Sequence, residues 1–438
     1  MSGRMASLGN RTFAALRTRN YRLFISGQAV SMSGTWMQSV AQSWLVLKLT
    51  GSGTALGLVV AAQFVPTLLG GPWGGLVADR FDSRRLLLGT QTVAGLLALV
   101  LGVLTVTDRV ELWMVYVLAA GLGMVTAIDN PTRQTFVMAM VGPADVANAV
   151  TLNSVVVNAA RIVGPGLAGV VISTLGVGPC FLLNAVSFLA VILVLALMRP
   201  SELHHSERAP RARGQLREGF RYVRSTPGLR VPLIMMAVIG TLAYEFTVTL
   251  PLLSEFTFDA GSGGFAAMSA LMGAGAVLGG LVTASLGPPT PRRLCIMAAA
   301  FGILISAAAV SPNLVIALAV MPVLGAASVS VIAQSNATLQ LAAAPQLRGR
   351  VMALFSVAFL GSTPIGGPIV GFVAEHGNPR LALGLGAAAS VLAAVYGWVR
   401  MVLPERSIRR PTPSVEPATA GVGAERRRSP RGAPAPGA

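Results

Sequence analysis

Three ionisable residues lie inside otherwise apolar segments of this sequence. They are Glu245 between two aromatic residues, Arg161 in the middle of an apolar stretch, and Asp129 at the end of another. A carboxyl group removed from water binds a proton more readily, so Glu245 is our candidate for carrying a proton, unless it lies near enough to the interface to stay hydrated. Arg161 needs a partner, either Asp129 in a buried ion pair or an anionic ligand. Asp129 and Arg161 therefore join Glu245 as candidates for a charge relay.

Amide and hydroxyl side chains in the first apolar segment recur at helical spacing on one face. The four positions are Ser31, Thr35, Gln38 and Gln42. Polar groups facing lipid would lose their hydrogen bonds. This face therefore points either to a water-filled cavity or to another helix, with which it forms interhelical hydrogen bonds. A later segment adds three candidates for the same cavity, Gln334, Asn336 and Gln340.

A charged cluster follows the second apolar segment. It contains Asp79, Arg80, Arg84 and Arg85. We expect Arg80 and Arg84 to pair with Asp129 in a latch, although arginines at this place also serve simply to orient the chain in a membrane. Elsewhere, Gly164-Pro165 lies inside an apolar segment, and the missing amide hydrogen of the proline predicts a kink there.

The composition decides which elements hold these residues. Of 438 residues, 53% are hydrophobic and 11% are charged, too few charges for a protein surrounded by water. The net charge is +17, but the arginines form short clusters between apolar runs, which argues against a nucleic-acid-binding surface. Cys180 and Cys295 lie in apolar stretches and predict no disulfide. The surrounding medium is therefore predicted to be the lipid bilayer.

The apolar segments predict an all-α membrane protein with twelve transmembrane helices. Each segment approaches the roughly 20 residues needed to cross about 30 Å of hydrocarbon. The predicted spans are 24–47, 55–77, 86–107, 112–129, 150–175, 179–198, 231–253, 264–285, 294–310, 314–340, 351–374 and 381–403.

The loop arginines predict the orientation. They concentrate in the even-numbered connections, which places those connections and both termini in the cytoplasm. A basic amphipathic helix from Phe13 to Phe24 is expected to lie on the membrane surface, and Gln215–Arg224 is expected to form a second one. The predicted divisions are a cytoplasmic N-terminus (1–23), a first six-helix bundle (24–198), a central loop (199–230), a second six-helix bundle (231–403) and a disordered tail (404–438).

Two short motifs recur in the same order in both halves. Asn130-Pro-Thr-Arg133-Gln is echoed at Asn336, 206 residues later, and Gly164-Pro165 is echoed at Gly367, 203 residues later. Similar spacing in the same order indicates duplicated six-helix halves, a pattern common in secondary transporters.

The stretch from Gly75 to Arg85, GLVADRFDSRR, resembles the cytoplasmic signature G-x-L-A-D-R-x-G-R-R of the major facilitator superfamily. The resemblance extends from Asn20 to Leu403. Within the superfamily, the sequences around Asp129–Gln134, Asn184–Phe188 and Leu347–Val351 are similar to the enterobactin-exporter branch, which is associated with efflux of siderophores, macrolides and other bulky compounds. Asp82 stands where the signature has glycine and Ser83 where it has a basic residue, which predicts a looser turn.

The resemblance implies specific roles. Gly75, Asp79, Arg80, Arg84, Arg85 and Arg133 would form the gating signature, with Asp79 at the start of a neighbouring helix, and the first span would line the central cavity. Gly164-Pro165 resembles the G-P-x-x-G-G motif of antiporters in the superfamily.

We therefore expect a monomeric exporter in the cell membrane that moves a small amphipathic molecule outward in exchange for protons. The three histidines are His204, His205 and His376, and no phosphate-binding loop is present, so neither a metal nor another cofactor is expected, and the chain is not expected to be an enzyme. The alternatives are proton-coupled uptake of a nutrient by the same fold and a membrane receptor or assembly factor that transports nothing.

Overall fold

The computed structural model describes residues 14–203, 215–359 and 361–403, and most of them are helical. The beginning of the chain, the segment with His204 and His205, and the tail from residue 404 lie outside the described residues. The α-helices, numbered in chain order, are α1 Arg19–Thr50, α2 Gly53–Arg80, α3 Ser83–Val106, α4 Leu112–Gly142, α5 Asp145–Leu175, α6 Gly178–Leu197, α7 Gln215–Ser225, α8 Pro227–Ala243, α9 Phe246–Phe256, α10 Gly261–Ser285, α11 Pro291–Ala309, α12 Leu314–Ala342, α13 Arg348–Phe359, α14 Thr363–His376 and α15 Pro379–Gly397.

Eleven helices among the described residues are long and apolar enough to cross a membrane, where α8 with α9 and α13 with α14 each count as one broken helix. Eleven of the twelve predicted spans overlap these candidate helices. The remaining one, 24–47, lies inside α1, which is long enough but is not among the eleven. Its serines, threonines and glutamines lower its hydropathy, and many of them are buried against other helices.

The fourth span is longer than predicted. Hydrogen bonding is helical from Leu112 to Leu175, and Gly142, with φ 69° and ψ 170°, turns the chain between α4 and α5. The prediction that residues 130–134 lie in a connection after the fourth span is wrong, because these residues lie within α4. Asp129 and Arg133 find polar partners inside the protein, so this polar run does not have to reach water.

The amphipathic segment before the first span also differs from its prediction. A short 3-10 turn at Ala14–Arg17 leads directly into α1, which begins at Arg19. Tyr21 and Phe24 are fully buried, and the ring of Phe24 lies 5.7 Å from that of Phe136 in α4. This part of the segment is thus covered by protein. The second predicted amphipathic helix is present as α7.

The order of packing repeats along the chain. In the first half, α1 to α6, helix α1 packs on α5 and α6, α2 on α4, and α3 on α6. In the second half, α8 to α15, helix α8 packs on α13 and α15, α10 on α12, and α11 on α15. Helices at corresponding places in the two halves therefore have corresponding neighbours.

The two halves touch mainly through α2 with α14 and α5 with α10. Gly57 and Gly367 face each other, and a Cβ atom on Gly367 would lie 3.0 Å from the Gly57 carbonyl oxygen. At the other crossing, a Cβ atom on Gly273 would lie 2.8 Å from the Arg161 carbonyl oxygen. Glycines at these crossings let the helix backbones approach closely.

The Gly273 crossing lies near the middle of α5 and α10, and the Gly57 contact lies near the end of the bundle where α2 begins. The opposite end, which we call the arginine-rich end, carries the residues at the end of α2 and the starts of α3, α11 and α13: Arg80, Arg84, Arg85, Arg292, Arg293, Arg348 and Arg350. Of the two broken helices, α9 and α14 pack on the first half, whereas α8 and α13, nearer the arginines, make no comparable contact with the described residues of that half. The halves therefore separate toward the arginine-rich end.

The turn between α2 and α3 is well defined rather than loose. Asp82 caps α3 by accepting a 2.8 Å hydrogen bond from the Arg85 backbone amide, and in the second half Thr290 caps α11 from the Arg293 amide at 3.2 Å. An aspartate suits this position because its side chain accepts from free amides at a helix start. The residue that departs from the resembled signature thus supplies a helix cap.

A carboxylate joins the two halves at the end opposite the arginines. Glu375, near the end of α14, accepts hydrogen bonds from the Ser52 hydroxyl (2.7 Å) and the Thr54 backbone amide (2.9 Å) at the start of α2. Negative charge is favoured at a helix N-terminus. Glu375 therefore caps a helix of the opposite half, and we call this contact the outer clasp.

We predict that Glu375→Gln loosens the outer clasp. The amide side chain keeps the size of the carboxylate but loses its charge, so amides in the first turn of α2 should exchange with deuterium roughly threefold to tenfold faster. Hydrogen–deuterium exchange on the protein in nanodiscs measures this.

Glu111→Gln is the matched control, because Glu111 lies at the same end and its carboxylate accepts a 2.7 Å hydrogen bond from Trp113 of its own half. Equal exchange at α2 in wild type and Glu375→Gln would show that the clasp does not hold the halves together.

Candidate functional site

The polar face of α1 serves two purposes. Gln38 is buried and accepts a 2.6 Å hydrogen bond from Asn184 of α6, and Gly34 lies against the same asparagine. Of the two alternatives for this face, Gln38 thus shows the interhelical hydrogen bond, which joins α1 to α6. Ser31 and Gln42 are also buried, whereas Thr35 is exposed.

Asp129 is the centre of a buried network within the first half. Its Oδ1 accepts hydrogen bonds from Thr90 (2.7 Å) and Gln91 (2.8 Å) of α3, and its Oδ2 accepts from Arg133 one turn further along α4. Arg133 also donates to Gln28 of α1. The network ties α1, α3 and α4 together.

The expected pairings of Asp129 with other arginines are consequently wrong. Its partner is Arg133 rather than Arg161, Arg80 or Arg84. Arg84 instead donates to the last carbonyl groups of α6, to Leu195 at 2.7 Å and Ala196 at 3.2 Å. An arginine at this position neutralises carbonyl groups that have no partner inside the helix.

The other members of the expected gating signature lie where α2 ends and α3 begins. Gly75 is buried in α2, and Arg80 and Arg85 lie at the arginine-rich end. Asp79 is the penultimate residue of α2. Close approach of α2 to α4 is made by the neighbouring Gly74, whose missing side chain makes room for Ala127.

Arg161 lies half-buried near the middle of α5. Its guanidinium carbon lies 5.0 Å from the centre of the Trp36 ring of α1, a cation–π contact. Its Nε atom is buried and has no hydrogen-bond partner, and Arg161 forms no ion pair with an acidic residue in the described part of the chain.

Glu245 lies where the seventh predicted span is broken. With φ −82° and ψ 43°, it separates α8 from α9, and its side chain is 2% exposed. Thr363 of α14 lies near the carboxyl group, whose Oε1 is buried without a hydrogen-bond partner. A Cβ atom on Gly366 would lie 3.0 Å from Oε1. The carboxyl group thus fits against a glycine pair of α14, next to the Gly57 contact.

An aromatic cluster surrounds the break. The ring of Tyr244 lies 5.0 Å from that of Phe301 and 4.9 Å from that of Phe359, and its hydroxyl donates to the Ser328 carbonyl oxygen at 2.6 Å. These contacts hold the non-helical residues in place and give Glu245 an apolar surrounding.

The three candidates of α12 differ in exposure. Gln334 is buried, and its Oε1 has no hydrogen-bond partner. The hydroxyl of the adjacent Ser335 is also buried without a partner. Asn336 is half-buried and accepts a hydrogen bond from the exposed Gln340. Polar side chains of α12 therefore extend from the interior toward the arginine-rich end.

At the place where a kink was expected, Gly164-Pro165, the structure shows close packing of α5 against α1. Backbone dihedrals stay helical there, and Gly142 is the non-helical residue of the Leu112–Leu175 segment. Gly164 lies where a Cβ atom would be 2.7 Å from the Ser33 carbonyl oxygen and 2.9 Å from the Met37 nitrogen of α1. Its role in the structure is close helix packing.

Several residues of the site were missed from sequence. Gln28 lies one turn before Ser31 on the polar face, so extending that face would have found it. Thr363 and Gly366 carried no signal, because their importance depends on which helix faces Glu245.

The broken helices, the mid-depth polar groups and the two halves that meet at one end define a membrane transporter of the major facilitator type. The chain belongs to the transmembrane secretion effector family, whose model matches residues 10–425. The predicted superfamily is thereby confirmed. Family members and relatives are transporters rather than enzymes.

The relatives include efflux pumps. The chain is 26% identical over 418 residues to the multidrug efflux pump Tap of Mycobacterium tuberculosis, covering 90% of this chain and 98% of the pump. It is 30% identical over 178 residues to the staphyloferrin A transporter of Staphylococcus aureus, 40% of this chain and 45% of that protein. The chain matches only about half the length of the first two relatives, 45% and 52%.

Solved structures share the fold. A bacterial homologue of the human lysosomal transporter Spinster, in an inward-facing and unoccupied conformation, aligns with a TM-score of 0.67 and 15% identity. The alignment covers 88% of this chain and 95% of that one.

We predict that the Asp129–Arg133 pair stabilises the first half strongly. Asp129→Asn or Arg133→Gln should each lower the free energy of unfolding by about 3–5 kcal/mol, because each leaves a buried charge unpaired. The double variant should be less destabilised than the sum of the two, by at least about 1 kcal/mol. Denaturant unfolding in detergent measures all three.

Glu202→Gln is the control, since the exposed pair of Glu202 with Arg199 has its charged atoms 3.1 Å apart in water. It should change stability by no more than about 0.5 kcal/mol. Additive effects of Asp129→Asn and Arg133→Gln would contradict the proposed coupling.

Proposed function

We propose that this transporter exports a small amphipathic molecule across the cell membrane in exchange for protons, by alternating access. The observation that carries the proposal is Glu245, a carboxyl group that is almost fully buried at a helix break and lies against the contact between the halves. Relatives named as efflux pumps support outward transport.

Alternating access requires two bodies that tilt relative to each other. We propose that α1 crosses the membrane as the twelfth span, so that residues 24–198 and 231–403 form two six-helix bundles. The recurring order of helix packing supports this division. The central loop 199–230 joins the bundles, with α7 on the membrane surface, and one copy of the chain suffices for transport.

The arginine-rich end is the cytoplasmic end in this proposal, and both termini lie on that side. Positive residues favour the cytoplasmic side of a membrane. The halves separate toward this end, so the described state is open to the cytoplasm. The fold similarity to an inward-facing transporter supports this assignment.

The pathway between the halves is lined by polar side chains of both. Thr35 of α1 and Asn336 and Gln340 of α12 are at least partly exposed, and Arg161 lies deeper. Amides with nearby aromatic rings suit an amphipathic molecule, which pairs polar groups with an apolar body. The names of a siderophore transporter, a multidrug pump and a macrolide efflux protein among the relatives agree with such a substrate.

Glu245 links the proton to the contact between the halves. A carboxylate without compensating partners is costly in an apolar surrounding, whereas the protonated acid is not. Ionisation of Glu245 therefore changes the free energy of packing α14 against α9 and α2. A proton taken up from outside and released inside would bias the halves between their two arrangements.

We predict that Glu245→Gln abolishes coupling between the proton gradient and export. The amide mimics the protonated acid permanently, so an imposed pH gradient should stimulate export at least tenfold less than in wild type. Inside-out vesicles with a compound panel, with and without an uncoupler, measure this stimulation.

Glu255→Gln, ten residues further along the same span, is the matched control and should retain coupling. Undiminished coupling in Glu245→Gln would remove Glu245 from the mechanism. Accumulation only in right-side-out vesicles, driven by an inward proton gradient, would favour the alternative of nutrient uptake.

A further inference from the structure

The charges at membrane depth do not balance within the first half. Asp129 is neutralised by Arg133, and both have further hydrogen bonds. Arg161 remains, with a ring contact but no carboxylate partner among the described residues. An arginine in this position has to be stabilised by something other than an ion pair within the protein.

The surroundings of Arg161 suit an external ligand. The guanidinium donates no hydrogen bond to a described residue, its side chain is half-buried, and Trp36 lies 5.0 Å away. A guanidinium carries five N–H donors in a planar fork that matches a carboxylate. A ring beside it provides an apolar surface for the rest of a molecule.

The position of Arg161 is also that of a binding residue. The backbone of Arg161 lies at the crossing of α5 and α10, where the two halves meet. On the side toward the arginine-rich end, α5 continues with the half-buried Asn158 and the exposed Ser154. A solute entering from that end would reach the guanidinium along polar side chains.

We propose that Arg161 binds an acidic group of the substrate, so that the transported molecules are amphipathic anions in which a carboxylate adjoins an aromatic or other apolar body. Trp36 holds the guanidinium in place and contacts the body. This inference rests on the transport function proposed above and narrows its substrate class.

The charge of the substrate has a consequence for the energetics of transport. An anion that leaves and a proton that enters both make the inside of the cell more positive. A membrane potential that is negative inside then favours export in addition to the pH gradient. Export of a neutral analogue would respond to the potential through the proton alone.

Three probes with one apolar body and different charges test the proposal: 1-pyrenebutyric acid, its amide, and 1-pyrenebutylamine. Binding to the protein in nanodiscs is measured by energy transfer from tryptophan to pyrene, with empty nanodiscs as the blank. We expect wild type to bind the acid at least tenfold more tightly than the amide, and the amine more weakly than the acid.

Variants locate the effect. Arg161→Gln should remove the preference for the acid, and Arg161→Lys should keep part of it, because lysine retains the charge without the fork. Arg109→Gln is the matched control, since it removes an exposed charge beyond the end of α3 and should leave the preference unchanged. Thermal unfolding identifies variants that fail to fold. If Arg161→Gln fails to fold, Arg161→Lys tests the proposal in its place.

A purely structural role for Arg161 would weaken binding of all three probes equally. Equal weakening of all three probes in Arg161→Gln would overturn the proposal. So would any of three other results: equal binding of acid and amide by wild type, failure of the acid to bind, or an unchanged preference for the acid in Arg161→Gln. Proton-driven export is measured separately in vesicles. Gradient-driven export of the amide or amine without a preference for the acid would contradict the role of Arg161 and leave the proposed transport function intact. Selective binding of the acid without gradient-driven export would contradict the transport function and leave the role of Arg161 intact.

Discussion

A charge within the hydrocarbon region of a membrane must be neutralised, hydrogen-bonded or reached by water, because the lipid offers it no partner. This constraint divides the mid-depth charged residues of the protein into two kinds. Asp129 and Arg133 neutralise each other and form hydrogen bonds with Gln28, Thr90 and Gln91, so their charges have partners within the protein. Arg161 and Glu245 keep atoms without partners, and such groups are more readily explained by function than by stability.

The same constraint explains why α1 is the least obvious membrane helix. Its polar side chains would be unfavourable against lipid, but Gln28 and Gln38 meet partners on α4 and α6. A helix surrounded by protein does not need the hydropathy of one that faces lipid. The low hydropathy of α1 therefore follows from its neighbours and is compatible with a position at membrane depth.

Hydropathy predicted eleven of the spans because it reports contact with lipid, which most helices have on one side. It misplaced the end of α4, since a polar run such as Asp129–Gln134 looks like a loop unless its partners are known. The partner of Asp129 was also wrong. Several arginines were available in sequence, and only the rotation of each helix decides which one is near. The break at Glu245 carried no sequence signal, because neither glycine nor proline occurs beside it.

Sequence reasoning was more successful with residue type than with geometry. Glu245 and Arg161 were singled out because ionisable groups are rare in apolar segments, and this holds whatever the packing. Gly164 was noticed for the adjacent proline, yet its contact with α1 is what requires a glycine. Close approach between helices depends on both partners, so one helix alone cannot reveal it.

The two unpaired charges lie on different halves, and each adjoins a glycine contact between them. Arg161 is at the crossing with Gly273, and Glu245 adjoins the glycine pair of α14 that meets Gly57. Backbones in direct contact have no flexible side chain between them to absorb a displacement, and packed interfaces tend to have discrete arrangements rather than continuous ones. In the proposed mechanism, a proton at Glu245 or a substrate at Arg161 therefore acts on a contact that opens when the halves tilt. Placing both charges at such contacts would allow a proton and a substrate to influence the same rearrangement without touching each other.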